Sequence, residues 1–327
     1  MKEIVETLVE TAVAKAKLEE AVEKASKSPI EILDSEGELC YEEELLEKSA
    51  EEAITTSEDY VQLNSYFFVP KPLYRIVKRN VEKGVNTLLL GPTGVGKTEL
   101  VSNIAKEMNL PLTVFDMGTM TDPIMSLIGN HVIHMQDGVT TSSFVKSRFS
   151  QVIQQPGIVL LDELSRANLT ANNLLFPCLD FRRELPMEYA FDGNAPIKVH
   201  PQCVFVATAN LGGQYTGAHK LDRALIDRFM CIEIDPLKTS ATQMAIHSYC
   251  PFLSEDEVRE LVRVYDSINN EHASFNISFS LSIRHLKMIA DMVKDGFTMY
   301  DGFMIVCKGL GGEEGKKAIE PIINTKK

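Results

Sequence analysis

The feature that most constrains the fold is the glycine-rich run GPTGVGKT at positions 91–98. Its pattern, G-x-x-x-x-G-K-[ST], requires glycines because consecutive backbone N–H groups must turn inward around a phosphate. The pattern also requires a strand before the loop and a helix after it, so that the helix N-terminus points at the anion. Residues 86–90 are strand-like and residues 99–108 have a helical pattern, and a chance glycine turn would lack this context. The loop therefore predicts a phosphate-binding site in a parallel α/β sheet.

Two residues of this loop have specific expected roles in nucleotide binding. Lys97 is expected at the β- and γ-phosphates, and Thr98 is expected to offer its hydroxyl to Mg²⁺. The predicted nucleotide-binding set is the loop and the residue after it, namely Gly91, Pro92, Thr93, Gly94, Val95, Gly96, Lys97, Thr98 and Glu99.

Two further apolar runs end in polar residues. Residues 157–161 read as a buried strand followed by Asp162 and Glu163, and residues 204–209 read as a buried strand followed by Asn210. Ligands bind at the carboxyl edge of a parallel sheet. Asp162 is predicted to hold Mg²⁺, Glu163 to activate the attacking water, and Asn210 to bond the γ-phosphate or that water. Solvated acids or a turn-forming Asn at a strand end are the simpler alternatives.

Composition and charge narrow the class of protein. The formal net charge is −13 and the isoelectric point about 5.1, which argues against a general affinity for nucleic acid. No apolar run approaches the ~20 residues of a membrane span, and the charged N-terminus has no secretory signal. None of the 6 cysteines forms a C-x-x-C pair. These features predict a cytoplasmic protein with reduced thiols and without a membrane segment.

The chain divides into three predicted regions. Residues 1–61 are acidic and form a helical N-terminal extension, with helical patterns near 4–22 and 42–53. Residues 62–236 alternate strands and helices, which predicts a parallel sheet with helices on both faces. Residues 237–327 are mainly helical and form a small C-terminal module.

The order of the motifs resembles the AAA+ ATPases over about residues 62–290, and more narrowly their MoxR-like, dynein-related branch. That branch includes the CbbQ/NorQ activators and the gas-vesicle GvpN proteins. The run DELSRA at 162–167 is similar to the signature D-E-[IL]-[NS]-R-A. Tyr66–Pro70 is similar to a Y-x-x-P segment, and the run SLIG at 126–129 resembles D-L-[LI]-G with Ser126 in place of the acid. The resemblance implies a P-loop NTPase core and a helical lid.

The same resemblance implies roles for three arginines. Arg228 lies where the family places its arginine finger, which reaches the γ-phosphate of the neighbouring subunit, and Arg223 is the second candidate. Arg284, at a predicted helix start, resembles the sensor-2 residue that closes the lid over ATP. Residues 130–143 are expected to form an inserted hairpin that faces the ring pore. Surface arginines in ordinary ion pairs are the alternative for all three.

These features favour a ring ATPase, expected to be hexameric, that uses ATP and Mg²⁺ to remodel or activate a protein partner. The resemblance implies a partner with a von Willebrand-type metal site. The chain has no D-x-S-x-S run, so that site would lie on another chain. Two alternatives remain open: an NTPase motor that acts on nucleic acid, and a chelatase-type subunit that drives metal insertion.

Overall fold

The structure is a computed structural model that describes residues 32–33, 39–40, 59–64, 66–136, 139–187, 195–210, 221–274 and 276–324. The chain forms two compact units, Met1–Thr56 and Ser57–Lys327. In the first unit the described residues form an antiparallel pair, β1 (Ile32–Leu33) and β2 (Leu39–Cys40). The helical patterns near 4–22 and 42–53 lie outside the described residues, so the helical N-terminal extension stays a prediction.

The second unit is an α/β domain followed by helices. In chain order its elements are β3 (Tyr60–Gln62), β4 (Phe68–Pro70), α1 (Lys71–Glu82), β5 (Thr87–Leu90), α2 (Lys97–Glu107), β6 (Leu112–Asp116), β7 (Gly129–Gln136), β8 (Val139–Lys146), α3 (Arg148–Val152), β9 (Gly157–Asp162), α4 (Leu169–Leu179), β10 (Glu184–Leu185), β11 (Ile197–Lys198), β12 (Cys203–Ala209), α5 (Arg223–Ile226), β13 (Met230–Glu233), α6 (Thr239–Tyr249), α7 (Glu255–Ala273), α8 (Ile283–Lys294) and α9 (Met299–Asn324). None of the described helices is both long and apolar enough to cross a membrane.

Five strands form one parallel sheet in the order β13-β5-β12-β9-β6. This arrangement confirms the predicted fold class, a parallel sheet with flanking helices. The central strand is β12, and the loop strand β5 lies beside it. Strand β13, which the sequence pattern did not mark, pairs with β5 on its other side. All five carboxyl ends lie at one edge, where β5, β9 and β12 each end next to a predicted site residue.

Alternate residues of the buried strands face opposite sides of the sheet. In β9, Val159 and Leu161 pack in one apolar core with helices α3 and α4, whereas Ile158 and Leu160 pack in another with α1 and α2. A strand covered on both faces has no polar side to expose, which explains its continuous apolar sequence. Burial on both faces fixes the strand rigidly, and its acidic end is therefore held in place.

The C-terminal part is helical, as predicted. Helices α6 to α9 enclose a separate apolar core. Helix α7 is capped by Ser254, whose hydroxyl accepts from the Glu257 N–H while the Glu257 carboxylate accepts from the Ser254 N–H. This reciprocal cap satisfies two backbone donors at the helix start. We call helices α6 to α9 the helical lid.

Strands β7 and β8 lie in the predicted inserted hairpin and pair antiparallel, from Gly129 opposite Lys146 to Gln136 opposite Val139. Its expected position at a ring pore stays a prediction. The five cysteines whose side chains the structure describes are free thiols. Burial raises the pKa of Cys203 and of Cys250 to about 11 each, so both are held as neutral thiols.

Candidate functional site

The glycine loop joins the carboxyl end of β5 to the N-terminus of α2. Gly94 and Gly96 have left-handed backbones, with φ of 85° and 88°. A Cβ atom on Gly94 would lie 2.7 Å from the Cβ of Ser282, and one on Gly96 would collide with the ring of Phe67. Both positions therefore require glycine for conformation and for space. The close approach also shows that the loop touches Phe67 on one side and Ser282, the residue before lid helix α8, on the other.

Lys97 is the first residue of α2, and its side chain folds back over the loop. Its ammonium donates hydrogen bonds of 2.8 Å to the carbonyls of Gly91 and Pro92, and one of 2.9 Å to Asn210 Oδ1. Burial lowers the pKa of Lys97 to about 8, Asp162 and Glu163 act in the opposite direction, and Arg284 adds to the lowering. The structure thus brings Lys97, predicted in the glycine loop, into direct contact with Asn210, predicted at the end of a separate strand.

Two hydroxyls meet one oxygen of Asp162 at the end of β9. Thr98 Oγ1 donates to Asp162 Oδ1 at 3.0 Å, and Thr208 Oγ1 donates to the same oxygen at 2.5 Å. Thr208 is buried near the end of β12 and was missed by the sequence reasoning. A polar residue in the apolar run VFVATA was the available signal, because a buried hydroxyl requires a partner.

A hydroxyl and a carboxylate oxygen are the hard ligands that Mg²⁺ prefers, so Thr98 and Asp162 fit this ion. Among the described residues no group of three or more His, Cys, Asp or Glu could hold a metal ion. Mg²⁺ commonly binds through one or two protein oxygens together with substrate phosphates and water. The donor set therefore suits an ion that arrives with a nucleotide.

Glu163 has an unusual backbone and an ion-paired side chain. Its φ of 54° and ψ of 44° lie in the left-handed region, which is uncommon for a residue with a Cβ. The Glu163 N–H donates to Thr208 Oγ1 at 3.0 Å, and Arg166 Nε lies 2.9 Å from Glu163 Oε2. The Thr208 hydroxyl thus contacts both acids and fixes the turn that directs them to different places.

The three predicted arginines occupy different environments. Arg228 is partly buried against α4 of its own chain: its guanidinium lies 4.6 Å from the centroid of Phe176 and 3.7 Å from Asp180 Oδ2, and it donates to the carbonyl of Ala224. Arg223 is exposed at the start of α5. Among the described contacts neither reaches Lys97, Asp162 or Glu163, so within one subunit the structure does not bring them to the loop.

Arg284 is exposed in the first turn of lid helix α8, two residues after Ser282, which touches Gly94. The structure therefore places Arg284 beside the loop. Glu99 differs from the other predicted loop residues, because its carboxylate accepts hydrogen bonds from Asn64 Nδ2 and from the hydroxyl of Tyr66. The side chain of Glu99 is thus directed to the segment before β4.

A cavity of about 630 Å³ opens beside the glycine loop. Its lining includes Val69 and Pro70 of β4, Val95 of the loop, Ile234 after β13, Tyr265 of lid helix α7 and Leu281 just before lid helix α8. Its volume lies in the range of small-ligand pockets, and apolar walls around a few polar groups are typical of such sites. The loop and this cavity together offer a phosphate cradle next to an apolar chamber.

The chain has similarities to known proteins. A family model described as "AAA domain (dynein-related subfamily)" matches residues 86–229. A protein of Thauera aromatica described as "Putative chaperone BssE" is 31% identical over 226 residues, which cover 68% of this chain and 74% of that protein. An uncharacterized protein of Staphylococcus epidermidis is 28% identical over 209 residues, covering 63% and 77%. A solved structure of a RuvB mutant of Thermotoga maritima superposes with a TM-score of 0.47 and 15% identity over 72% of this chain and 67% of that one.

Proposed function

Since this chain belongs to the AAA+ ATPases with a dynein-related AAA domain, we propose that it binds ATP with Mg²⁺ and hydrolyses it to do conformational work. The observation that carries the proposal is a pair of hydrogen-bonded groups at one edge of the sheet, Lys97 with Asn210, and Asp162 with Thr98 and Thr208. A buried ammonium, two hydroxyls and a carboxylate around a glycine loop match the groups that bind a nucleoside triphosphate.

Binding depends on the loop and its neighbours. Backbone N–H groups of residues 91–98 would cradle the phosphates, and the N-terminus of α2 would add its dipole. The Lys97 ammonium would exchange its carbonyl partners for the β- and γ-phosphate oxygens. Thr98 and Asp162 would hold Mg²⁺, which neutralises phosphate charge when bound. The base and ribose would occupy the cavity lined by the lid.

Hydrolysis would depend on Glu163. Its carboxylate would orient the attacking water and accept its proton, while Asn210 would bond that water or the γ-phosphate. In the structure Arg166 holds the carboxylate through an ion pair of 2.9 Å, in which both side chains are partly exposed. Such a pair is weak and can open, so the carboxylate can turn to the water.

A single subunit supplies no arginine finger among its described contacts. Arg228 packs against α4 and has no described contact with its own Lys97. We infer that it serves the site of a neighbouring subunit and that the working form is a ring, expected to be a hexamer. Arg223 is the second candidate for this role. We further propose that Arg284 contacts the γ-phosphate from the lid in the same subunit.

The work done is proposed to be remodelling or activation of a protein partner, as in the MoxR-like branch that the DELSRA run suggests. The relative described as a putative chaperone supports a protein partner, and we expect that partner to carry a von Willebrand-type metal site on another chain. The inserted hairpin, with exposed Ile133 and Met135, is the surface that we expect to meet it.

The experiment that tests hydrolysis is the substitution Glu163→Gln. We expect ATP to bind with an affinity within about threefold of the parent, while turnover falls by about 10² or more, the range for loss of a general base. The control is Glu82→Gln, an exposed acid at the end of α1, which should leave turnover unchanged. Unchanged hydrolysis in Glu163→Gln would exclude Glu163 as the activating group.

A further inference from the structure

Lys287 of the lid lies between two tyrosine rings from different parts of the chain. Its ammonium lies 3.3 Å from the ring centroid of Tyr66, which precedes β4, and 4.2 Å from that of Tyr249, at the end of α6. The two rings meet edge to face, with centroids 5.6 Å apart. The two distances from the ammonium to the ring centroids are well within the range over which an aromatic ring attracts a cation. We call Tyr66, Tyr249 and Lys287 the tyrosine–lysine clamp.

One side of the clamp is anchored to the glycine loop. The hydroxyl of Tyr66 donates to Glu99 Oε1 at 3.3 Å, in the first turn of α2 directly after the loop. Asn64 donates to the same carboxylate and accepts from the N–H groups of Tyr66 and Phe67. The Phe67 ring fills the space in front of Gly96. Any displacement of the loop or of the start of α2 is therefore transmitted to Tyr66.

The other side of the clamp is anchored to the lid. The Tyr249 hydroxyl donates to Asp291 Oδ2 at 3.1 Å, which ties α6 to α8, and Gln62 donates to Ser248 Oγ at 3.1 Å. Lys287 lies on α8 three residues after Arg284, so both share one helix face. Fixing Lys287 therefore fixes the direction from which Arg284 approaches the loop.

We propose that the clamp is the contact that positions Arg284 over the nucleotide site, with Lys287 and Tyr66 acting as positioning residues for the chemistry. The inference rests on the proposed ATPase function. Lys287 acts through Arg284 and does not itself reach the phosphates. Its burial between the rings lowers the pKa of Lys287, while the charges of Glu99 and Asp291 oppose that change and favour the ammonium form.

The test compares Lys287→Met, Arg284→Ala and the double variant, with steady-state ATP hydrolysis and thermal unfolding measured for each. Lys287→Met should lower kcat about tenfold. Lys287→Arg, which keeps a cation between the rings, should keep kcat within about twofold of that of the parent protein. In the Arg284→Ala background Lys287→Met should cause no further loss of kcat, because the residue that it positions is already absent. Lys294→Met is the matched control, since this lysine of the same helix lies over Phe252 and outside the clamp.

The proposal is overturned if Lys287→Met leaves kcat unchanged and only lowers the unfolding temperature, which would mean a structural role alone. It is also overturned if the two substitutions multiply their effects on kcat, or if Lys287→Arg fails to restore activity in a folded protein. Tyr66→Leu is judged by the same criteria, so a folding defect in one variant leaves the test intact. Loss of hydrolysis in Glu163→Gln together with normal kcat in Lys287→Met would contradict this inference and leave the ATPase function standing.

Discussion

At the residue scale, the Thr208 hydroxyl contacts both acids of the site. It donates to Asp162 Oδ1 and accepts from the Glu163 N–H, so it holds a carboxylate and a peptide at once. The left-handed backbone of Glu163 separates the directions of the two acids, with one turned to Thr98 and the other to Arg166. A single hydroxyl on the neighbouring strand thus holds apart the two acids that we propose for metal binding and for water activation.

We predict that Thr208→Val, which keeps the shape and removes the hydroxyl, lowers kcat/KM for ATP by roughly 10- to 100-fold. A hydrogen bond to a charged group contributes about 1.5–3 kcal/mol, and its loss also leaves the Glu163 N–H without this partner. The measurement is steady-state hydrolysis over a range of Mg²⁺ concentrations. Thr208→Ser keeps the hydroxyl and should retain most of the activity. Equal activity in both variants would mean that the hydroxyl plays no part.

Residues with a motif could be assigned from the sequence, and residues without one could not. The spacing of the glycine loop led directly to Lys97 and Thr98, and the acidic strand end led to Asp162 and Glu163. Thr208 belongs to no such pattern, because its role depends on the pairing of β12 with β9. Glu99 was placed with the loop by adjacency, whereas its side chain contacts Asn64 and Tyr66 across the fold.

At the element scale, the glycine loop is held by contacts on both sides. We predict that Gly94→Ala weakens ATP binding at least about tenfold, because the new Cβ meets Ser282 and the left-handed backbone is strained. Binding is measured by titration with ATP in the presence of Mg²⁺.

The variant Gly84→Ala separates the effect of backbone strain from that of a steric clash with Ser282. Gly84 also has a positive φ, of 67°, but no atom lies within 4 Å of its added Cβ. This variant should lose about 1–2 kcal/mol of unfolding free energy and bind ATP normally. If both alanine variants bind ATP equally well, the contact between the loop and the lid has no role in binding.

Strands buried on both faces were predictable, and short or exposed strands were not. The runs at 157–161 and 204–209 are almost entirely apolar because both faces are covered, and each is found within a strand. Strand β13 has mostly exposed residues and only four positions, so its sequence carries no continuous apolar signal. Pairing with β5, a contact distant in sequence, makes it part of the sheet.

At the scale of the whole molecule, the proposed site is shared between copies. We predict that Lys97→Ala subunits, which lack phosphate binding, and Arg228→Ala subunits, which lack the finger, regain hydrolysis when mixed. Each interface between an intact loop and an intact arginine would then be active, because charge neutralisation in trans contributes on the order of 10³ or more in rate. Activity is measured against mixing ratio, with each variant alone as the baseline.

Mixed rings must be shown to form before the result is interpreted, for example by purification on a tag carried by one variant only. Recovered activity in such rings identifies Arg228 as the finger. Proven mixed rings that stay inactive would exclude Arg228, and Arg223→Ala would then be examined in the same pairing.

The three hydrogen bonds of Lys97 have a consequence for how the molecule detects its ligand. Its ammonium already has the carbonyls of Gly91 and Pro92 and the amide oxygen of Asn210 as acceptors. A triphosphate that binds must therefore replace these acceptors. Its affinity then depends on how much more favourably the Lys97 ammonium bonds phosphate oxygens than the two carbonyls and the Asn210 amide oxygen. We expect the exchange to release Asn210 at the moment when a γ-phosphate is present. Binding of a triphosphate at the loop and release of Asn210, at the end of β12, would then occur together. An anion too small to displace Lys97 from its present acceptors would leave Asn210 bound to Lys97.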